Sequence, residues 1–172
     1  MISENLLEAL NEQMNYEFYS SLAYLSMGSY CAYEGFDGFA NFFEVQADEE
    51  RFHAMKIYRY IHSMNLRPII TGVTEHPNND FTSILDSFEK GYAQEKETTR
   101  RIYHLSDIAL NEREHATMHF LKWFIDEQIE EEALFDNLIH KLKLIDEDTS
   151  AFILLDNELA TRTFVPPADK QN

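Results

Sequence analysis

The sequence predicts an all-α protein, a bundle of four long helices with a short fifth helix near the C-terminus. The 172 residues include only 5 Gly and 4 Pro, so long helices can run without interruption. Apolar residues recur at steps of three and four in four separate stretches, which is the period of a helix with one buried face. The one long stretch without this period, residues 65–80, holds two prolines and one glycine.

The composition limits the classes of function. The chain is 44% hydrophobic and 13% aromatic, enough for the core of one domain spanning residues 1–172. Its net charge of −17 repels phosphate backbones and attracts cations, so we expect no nucleic-acid partner. Cys31 is the only cysteine, which excludes an intrachain disulfide and a cysteine-based metal site. No apolar run approaches the roughly 18–20 residues of a membrane span, and the N-terminus does not resemble a signal peptide. We therefore expect a cytoplasmic protein with no membrane partner.

The first helix is predicted to begin after Ser3, a candidate N-cap, and its apolar stripe includes Leu10 and Met14. Glu17 comes next, at a position where the pattern predicts a hydrophobic residue. Considered alone, Glu17 could also be a surface acid that lies slightly out of phase with the apolar stripe. Tyr24 lies two turns further along the same face, where an ordinary core tyrosine is the simpler interpretation.

The second helix follows a short turn that contains two glycines, so we expect the first two helices to be antiparallel neighbours. Its apolar stripe passes through Gln46, Glu50 and His53. Glu50 and His53 are three residues apart, and their side chains therefore reach the same point beside the helix. A carboxylate and a neutral imidazole in a dry core suit a divalent metal such as iron, although the pair alone also fits the edge of a bundle.

The third helix is predicted to follow a long crossover. Residues 65–80 form a loop that is long for a compact domain, and a third helix parallel to the second requires such a connection. Asp80 is a candidate N-cap for this helix, whose stripe contains Glu95. We place the four-helix bundle at about residues 4–143, the fifth helix at about 147–159 and a loose tail at 165–172.

The fourth helix contains the acidic run DEQIEEE, residues 126–132. Such a run is normally a solvated helix face, and we keep that interpretation for its first and last residues. The other acids and the glutamine lie on or beside the apolar stripe: Glu127, Gln128, Glu130 and Glu131.

Each of the four helices thus places a carboxylate at mid-length in the core-facing phase: Glu17, Glu50, Glu95 and Glu131. If the helices run up, down, down and up, these carboxylates meet at one level. Burying unpaired carboxylates costs several kcal/mol or more. Two divalent cations roughly 3.5–4 Å apart, sharing a bridging carboxylate, would neutralise them. The sequence therefore predicts a centre for two metal ions inside the bundle.

Over nearly its whole length the chain resembles the non-haem bacterial ferritins. The resemblance rests on NEQMNYEFYSSLAYLSM, ADEERFHA, FLKWFIDEQIEEE and the region of the short C-terminal helix. It implies a homo-oligomeric cage of twenty-four subunits. Such a cage oxidises Fe(II) with O2 or peroxide at a ferroxidase centre and stores ferric oxyhydroxide mineral in its cavity.

The resemblance also implies roles for individual residues. The ligands of the first iron are matched by Glu17, Glu50 and His53. The ligands of the second iron, with Glu50 as the bridge, are matched by Glu50, Glu95 and Glu131. A third iron site is matched by Glu49, Glu127, Glu130 and Glu131. A supporting glutamine and a nearby tyrosine are matched by Gln128 and Tyr24.

The chain departs from related families at several positions. Its fourth helix has Gln128-x-x-Glu131 where bacterioferritin- and rubrerythrin-like centres have E-x-x-H. Arg51 stands at the position of the bacterioferritin haem methionine, so no haem is expected. The acidic three-fold channel of animal ferritins falls on Met118 and Leu121, which are apolar.

Three other interpretations fit parts of the pattern. A ferritin-like redox enzyme, a peroxidase or oxidase, would keep its two irons as a fixed cofactor and would saturate with iron. A DNA-protecting mini-ferritin lacks a fifth helix and is disfavoured by residues 151–159 and by the net charge of −17. The third is an inert helical bundle in which all of these acids are solvated, since each acid considered alone also fits a position on the surface.

Overall fold

The computed structural model describes residues 2–72, 77–145 and 148–167. These residues contain five helices: α1 (Glu4–Tyr33), α2 (Asp37–Ser63), α3 (Ile84–Asn111), α4 (His115–Ile145) and α5 (Thr149–Leu159). The predicted all-α class, with four long helices and a short fifth, is confirmed. The predicted cap Ser3 accepts a hydrogen bond from the backbone N–H of Leu6. None of the described helices is both long and apolar enough to cross a membrane.

The start of α3 differs from the prediction. The helix begins at Ile84, and its N-cap is Ser83, whose Oγ accepts a hydrogen bond from the N–H of Asp86 at 3.0 Å. In return, the Asp86 carboxylate accepts one from the N–H of Thr82 at 2.9 Å. This reciprocal pair satisfies two backbone donors at the helix start. Asp80 lies too early in the chain to do so, and its prediction as the cap was wrong.

Contacts near the two ends of the bundle fix the directions of the helices. Ser3, at the start of α1, hydrogen-bonds to Glu112 just after α3. Tyr30, near the end of α1, packs against Phe81 just before α3, with ring centroids 5.3 Å apart. Helices α1 and α3 are therefore antiparallel. Because α2 also runs back along α1 after the turn at residues 34–36, α2 and α3 are parallel and need the predicted long crossover.

The crossover is fastened along the exposed surface of α1. The Asn11 carboxamide oxygen accepts a hydrogen bond from the N–H of Ile69 at 2.6 Å, and the Asn15 side chain donates to the Ile69 carbonyl at 2.8 Å. Further along α1, the Ser26 hydroxyl donates to the Asn78 carbonyl at 2.7 Å. The described parts of the connection, residues 65–72 and 77–80, therefore contact α1 in its first half and in its last third, and α3 begins at that second end of the bundle.

Two apolar clusters fill the bundle, one towards each end. One cluster is built largely from aromatic residues, among them Tyr24, Phe39, Phe42, Phe43, Phe88 and Phe135. The other is mostly aliphatic and includes Leu6, Leu10, Met14, Ile57, Ile61, Ile102 and Leu121. Each fully buried side chain of this size stabilises the fold by about 1.5–3 kcal/mol. Between the clusters lies a polar layer, which we call the acid layer: Glu17, Glu50, His53, Glu95, Gln128 and Glu131.

Helix α5 packs on the N-terminal end of α2. A glycine at position 38 is required there, because a Cβ on Gly38 would lie 1.7 Å from the backbone oxygen of Asp156. The Asp156 carboxylate accepts a hydrogen bond from the N–H of Phe39 at 2.8 Å. After α5 the chain follows α2, and the Asn41 side chain donates to the carbonyl of Arg162 at 2.9 Å.

The residues after α5, 160–167, are called the C-terminal segment below. Of the tail predicted to be loose, residues 168–172 lie outside the described residues, and residues 165–167 are exposed. The residues before them, for which the sequence analysis predicts nothing, contact α2. The Phe164 ring packs against that of Phe52, with centroids 5.7 Å apart.

Candidate metal centre

Three of the predicted ligands converge within the acid layer. Glu17, Glu50 and His53 each offer one ligand atom, and these atoms all lie within 4.8 Å of one another. The Nδ1 atom of His53 is 3.6 Å from Oε2 of Glu50. All three side chains are buried. Side chains from α1 and α2 thus surround a point that one cation would fill. The role of these three residues as metal ligands remains a prediction.

Glu95 enters the layer from α3, where two other predicted site residues orient it. The Tyr24 hydroxyl donates a hydrogen bond to Oε1 of Glu95. The Gln128 side-chain amide donates to Oε2 of Glu95 at 3.0 Å and also lies 3.2 Å from Oγ1 of Thr99. Both carboxylate oxygens of Glu95 therefore have a donor, which fixes the direction in which the carboxylate faces.

Two glutamines hold the other carboxylates of the layer. The Gln46 amide donates to Oε2 of Glu131 at 2.8 Å, and the sequence already places Gln46 in the apolar stripe of α2. The Gln13 amide donates to Oε1 of Glu17 at 2.8 Å. Gln13 was missed by the sequence analysis. Its spacing of four residues from Glu17 was the available signal, because side chains four apart on a helix are neighbours.

Three buried oxygen atoms lack a hydrogen-bond partner among the described residues: Glu17 Oε2, Glu50 Oε2 and Gln46 Oε1. Leaving such an atom unpaired costs about 1–3 kcal/mol, and more when the group is charged. Two of the three atoms belong to the carboxylates that converge with His53. Metal coordination would satisfy both of them at once, and two carboxylates with an imidazole are a suitable donor set for a divalent iron.

The comparison with known proteins agrees with this geometry. The family model described as "Ferritin-like domain" matches residues 7–145, which include all four long helices of the bundle apart from the first three residues of α1. The chain belongs to the ferritin family. The predicted resemblance to non-haem bacterial ferritins is therefore confirmed at the level of the family.

Relatives of this ferritin chain cover almost its full length. A bacterial non-heme ferritin of Staphylococcus aureus (strain MRSA252) is 50% identical over 164 residues, 95% of this chain and 98% of the relative. One from Staphylococcus saprophyticus is 47% identical with the same coverage. The solved structure of an open-pore ferritin from the archaeon Archaeoglobus fulgidus has a TM-score of 0.92 and 42% identity, and covers 95% of this chain and 100% of that chain. An engineered closed form of that ferritin gives a TM-score of 0.93 at 42% identity, with coverage of 96% and 100%.

Burial and mutual repulsion raise the pKa values of the acids in this ferritin's layer. Burial holds the pKa of Glu50 well above its ordinary value, and the charges of Glu95 and Glu17 raise it further. Burial likewise raises the pKa of Glu131, with Glu95 adding to the effect. The pKa of Glu95 is raised to about 7, again mainly by burial. The layer therefore holds protons near neutral pH, and a bound cation must displace them.

His53 has the opposite shift. Burial, with a smaller contribution from the charge of Lys56, lowers the pKa of its imidazole to about 3. The rings of Trp123 and Phe124 pack against it, with centroids 5.4 and 5.9 Å away. The imidazole of this ferritin is therefore neutral at physiological pH, which is the form that can bind a metal.

The three acids predicted for a third iron site, which we call the outer acids, lie at the edge of the acid layer: Glu49, Glu127 and Glu130. Glu49 and Glu127 are half-buried and Glu130 is exposed, so all three are more accessible to water than the buried residues of the acid layer. The pKa of Glu127 is raised to about 7 by burial and then by the charges of Glu130 and Glu49. The charges of Glu49 and Glu130 thus both repel the Glu127 carboxylate.

Arg162 is a further residue that the sequence analysis missed. Its guanidinium lies 2.9 Å from Oε2 of Glu49. The two residues are 113 positions apart, and Arg162 follows α5 in a segment without helical periodicity. The sequence carries no local signal for such a contact.

Proposed function

We propose that the chain is the subunit of an iron-storage protein with ferroxidase activity. The observation that carries the proposal is a pair of buried carboxylate oxygens, on Glu17 and Glu50, that lack a hydrogen-bond partner in the described part of the chain and lie beside the neutral imidazole of His53. Membership of the ferritin family supports it. So does the similarity to relatives named as bacterial non-heme ferritins. Iron is both the substrate of this reaction and the cargo.

In this proposal the acid layer takes up two Fe(II) ions per subunit. Glu17, Glu50 and His53 bind the first iron. Glu50, Glu95 and Glu131 bind the second, and Glu50 bridges the two. Because protons occupy part of the layer near pH 7, iron uptake releases them, and the affinity for Fe(II) decreases as the pH falls below about 7. No haem takes part.

The reaction needs two irons because O2 is best reduced by two electrons together. Each Fe(II) gives one electron, and O2 with two protons becomes hydrogen peroxide, so both irons end as Fe(III). The anionic layer favours the more highly charged Fe(III). Gln128 and Tyr24 orient Glu95 through the hydrogen bonds described above, and Tyr24 is also in a position to supply a further electron. The protein contributes position and electrostatics, while the metals carry the redox chemistry.

The outer acids, together with Glu131, form a third iron site in this proposal. They are less buried than the layer, so they hold iron less tightly and can pass it on to the mineral. Glu131 is common to the second and third sites, which links oxidation to the onward movement of iron.

The first test is the response to iron in air. Metal-free protein is mixed with Fe(II), and the ultraviolet–visible absorbance is recorded. We expect a fast phase of oxidation for the first two irons per chain, followed by continued uptake as many more are added. Protein loaded beforehand with Zn(II), which has no redox chemistry, is the control and should lose the fast phase. Uptake that stops at about two irons per chain would instead support a redox enzyme with a fixed di-iron cofactor.

The second test concerns assembly. We propose a hollow homo-oligomer of twenty-four subunits, located in the cytoplasm. Exposed apolar side chains on α1 and the crossover, among them Leu22, Leu25 and Ile70, provide surface that neighbouring subunits could cover. Sedimentation velocity at micromolar concentration is expected to give one large species. A result of only monomers or dimers would contradict storage in a cage, although not the di-iron centre.

A further inference from the structure

The guanidinium of Arg162 is fixed in one position beside an outer acid. Its Nη2 atom is 2.9 Å from Oε2 of Glu49, and the two side chains are only 22% and 19% exposed. Its Nη1 atom lies 3.4 Å from the carbonyl oxygen of Phe42. The guanidinium also lies over the Phe42 ring, 4.7 Å from the centroid. A partly shielded ion pair with these additional contacts is stronger than an exposed one.

The C-terminal segment that carries Arg162 is anchored on both sides of it. The Asn41 side chain donates to the carbonyl oxygens of Leu159 and Arg162, both at 2.9 Å. Two residues further on, the Phe164 ring packs against Phe52 of α2. The position of Arg162 therefore follows from how this segment lies along α2.

The charge around Glu49 explains why a cation is favoured there. Glu127, Glu130 and Glu131 present carboxylates from α4, and Asp48 is a neighbour on the same helix. The charge of Glu49 raises the pKa of both Glu127 and Glu131, whereas Arg162 lowers the pKa of Glu131. Arg162 thus offsets part of the repulsion between Glu49 and Glu131, whereas the cation that lowers the pKa of Glu127 is Lys56.

We propose that Arg162 is a resident counter-cation of the outer acids, which iron must displace from Glu49 in order to enter the third site. The inference rests on the proposed third iron site and adds a residue that sets its affinity. A cation bound to the Glu49 carboxylate repels the adjacent guanidinium and competes with it for the same negative charge, so metal binding there weakens or breaks the ion pair. Iron binding is therefore an exchange, and the return of Arg162 to Glu49 favours the release of iron. By reciprocity, iron at the third site loosens the C-terminal segment.

The test is an anaerobic calorimetric titration of the assembled, metal-free protein with Fe(II). We compare Arg162→Gln, which removes the charge, with Arg162→Lys, which keeps it. The matched control is Arg100→Gln, because Arg100 pairs with Glu97 on α3, away from the outer acids. The two tight equivalents of the acid layer should be unchanged in all four proteins. Arg162→Gln should bind the third equivalent about tenfold more tightly, since a unit charge next to a partly shielded carboxylate is lost. Arg162→Lys should remain close to the unaltered protein.

A second measurement uses the unaltered protein alone. Amide hydrogen exchange in residues 160–164 should become faster when the third equivalent of Fe(II) is bound, but not during the first two. This measurement decides the matter if Arg162→Gln does not assemble. Equal third-equivalent affinity in the unaltered protein and Arg162→Gln, or exchange that does not respond to the third equivalent, would overturn the inference while leaving the di-iron centre intact. Absence of the two tight equivalents in every protein would instead refute the proposed function.

Discussion

Replacing Glu50 by Gln is expected to slow the oxidation of the first two irons per subunit by more than about 100-fold, the upper end of the effect of removing a supporting residue from a metal site. Glu50 is assigned as a ligand of both irons, so its loss removes the bridge as well as two bonds. His53→Ala, by comparison, should damage chiefly the first iron site. Stopped-flow absorbance at two Fe(II) per chain measures both rates.

The same change should make the metal-free protein more stable. Glu50 is 1% exposed, and its Oε2 atom has no hydrogen-bond partner among the residues that the structure describes, so a neutral amide of the same shape removes about 1–3 kcal/mol of unfavourable burial. Because the pKa of Glu50 is raised in the fold, the protonated form is the one that the folded protein favours, and ionising it costs stability. This cost is absent below the ordinary pKa of 4.5 and grows as the pH rises towards the raised pKa. The gain in melting temperature should therefore be larger at pH 8 than at pH 5.

Glu44→Gln is the control for both measurements, since Glu44 is an exposed acid on the same helix. It should change neither the oxidation rate nor the melting temperature by much. If Glu50→Gln still oxidises two Fe(II) per chain at the normal rate, the centre lies elsewhere. If it melts at a lower temperature than the unaltered protein at pH 8, then the buried Glu50 carboxylate is well compensated without metal.

Glu131→Ala and Glu130→Ala are expected to separate fast oxidation from the turnover of the centre. Glu131 is buried in the acid layer and is assigned to both the second and third iron sites. Glu130, its neighbour in sequence, is exposed and is assigned in the proposal to the third site alone. Glu131→Ala should therefore slow the first phase by about 10–100-fold and also impair later turnover. Glu130→Ala should leave the first phase nearly intact and change the number of irons oxidised per O2.

These variants are compared by stopped-flow oxidation at two, three and many irons per subunit, with oxygen uptake recorded in parallel. The two residues are adjacent and chemically identical, so each is the control for the other. If Glu130→Ala matches the unaltered protein in every phase and stoichiometry, the third site has no role, and the acidic run of α4 is simply a solvated face on that side.

The sequence predicted most of the acid layer because helix phase is a local property. Steps of three and four residues place Glu17, Glu50 and Glu131 on buried faces whatever the rest of the chain does. The predictions that were wrong or missing concern two kinds of feature. One is a choice between similar residues close together in the chain, and the other is a contact between residues far apart in sequence. Asp80 and Ser83 are both good capping residues three positions apart, and only the reciprocal bond with Asp86 separates them. Arg162 reaches Glu49 through the path of a segment that has no periodicity to predict it.

The separation of the acid layer from the two apolar clusters has a consequence for how this architecture can be altered. Folding depends chiefly on the two apolar clusters at the ends of the bundle, whereas the chemistry depends on the acid layer between them. A change in either cluster should alter stability whichever ion is present, except at Tyr24, which belongs to the aromatic cluster but also hydrogen-bonds to Glu95. A change in the acid layer should first alter the binding of the metal ion. The acid layer can therefore be exchanged as a unit. Another set of side chains at mid-length on the same four helices could hold a different metal, or none, without repacking the two apolar clusters.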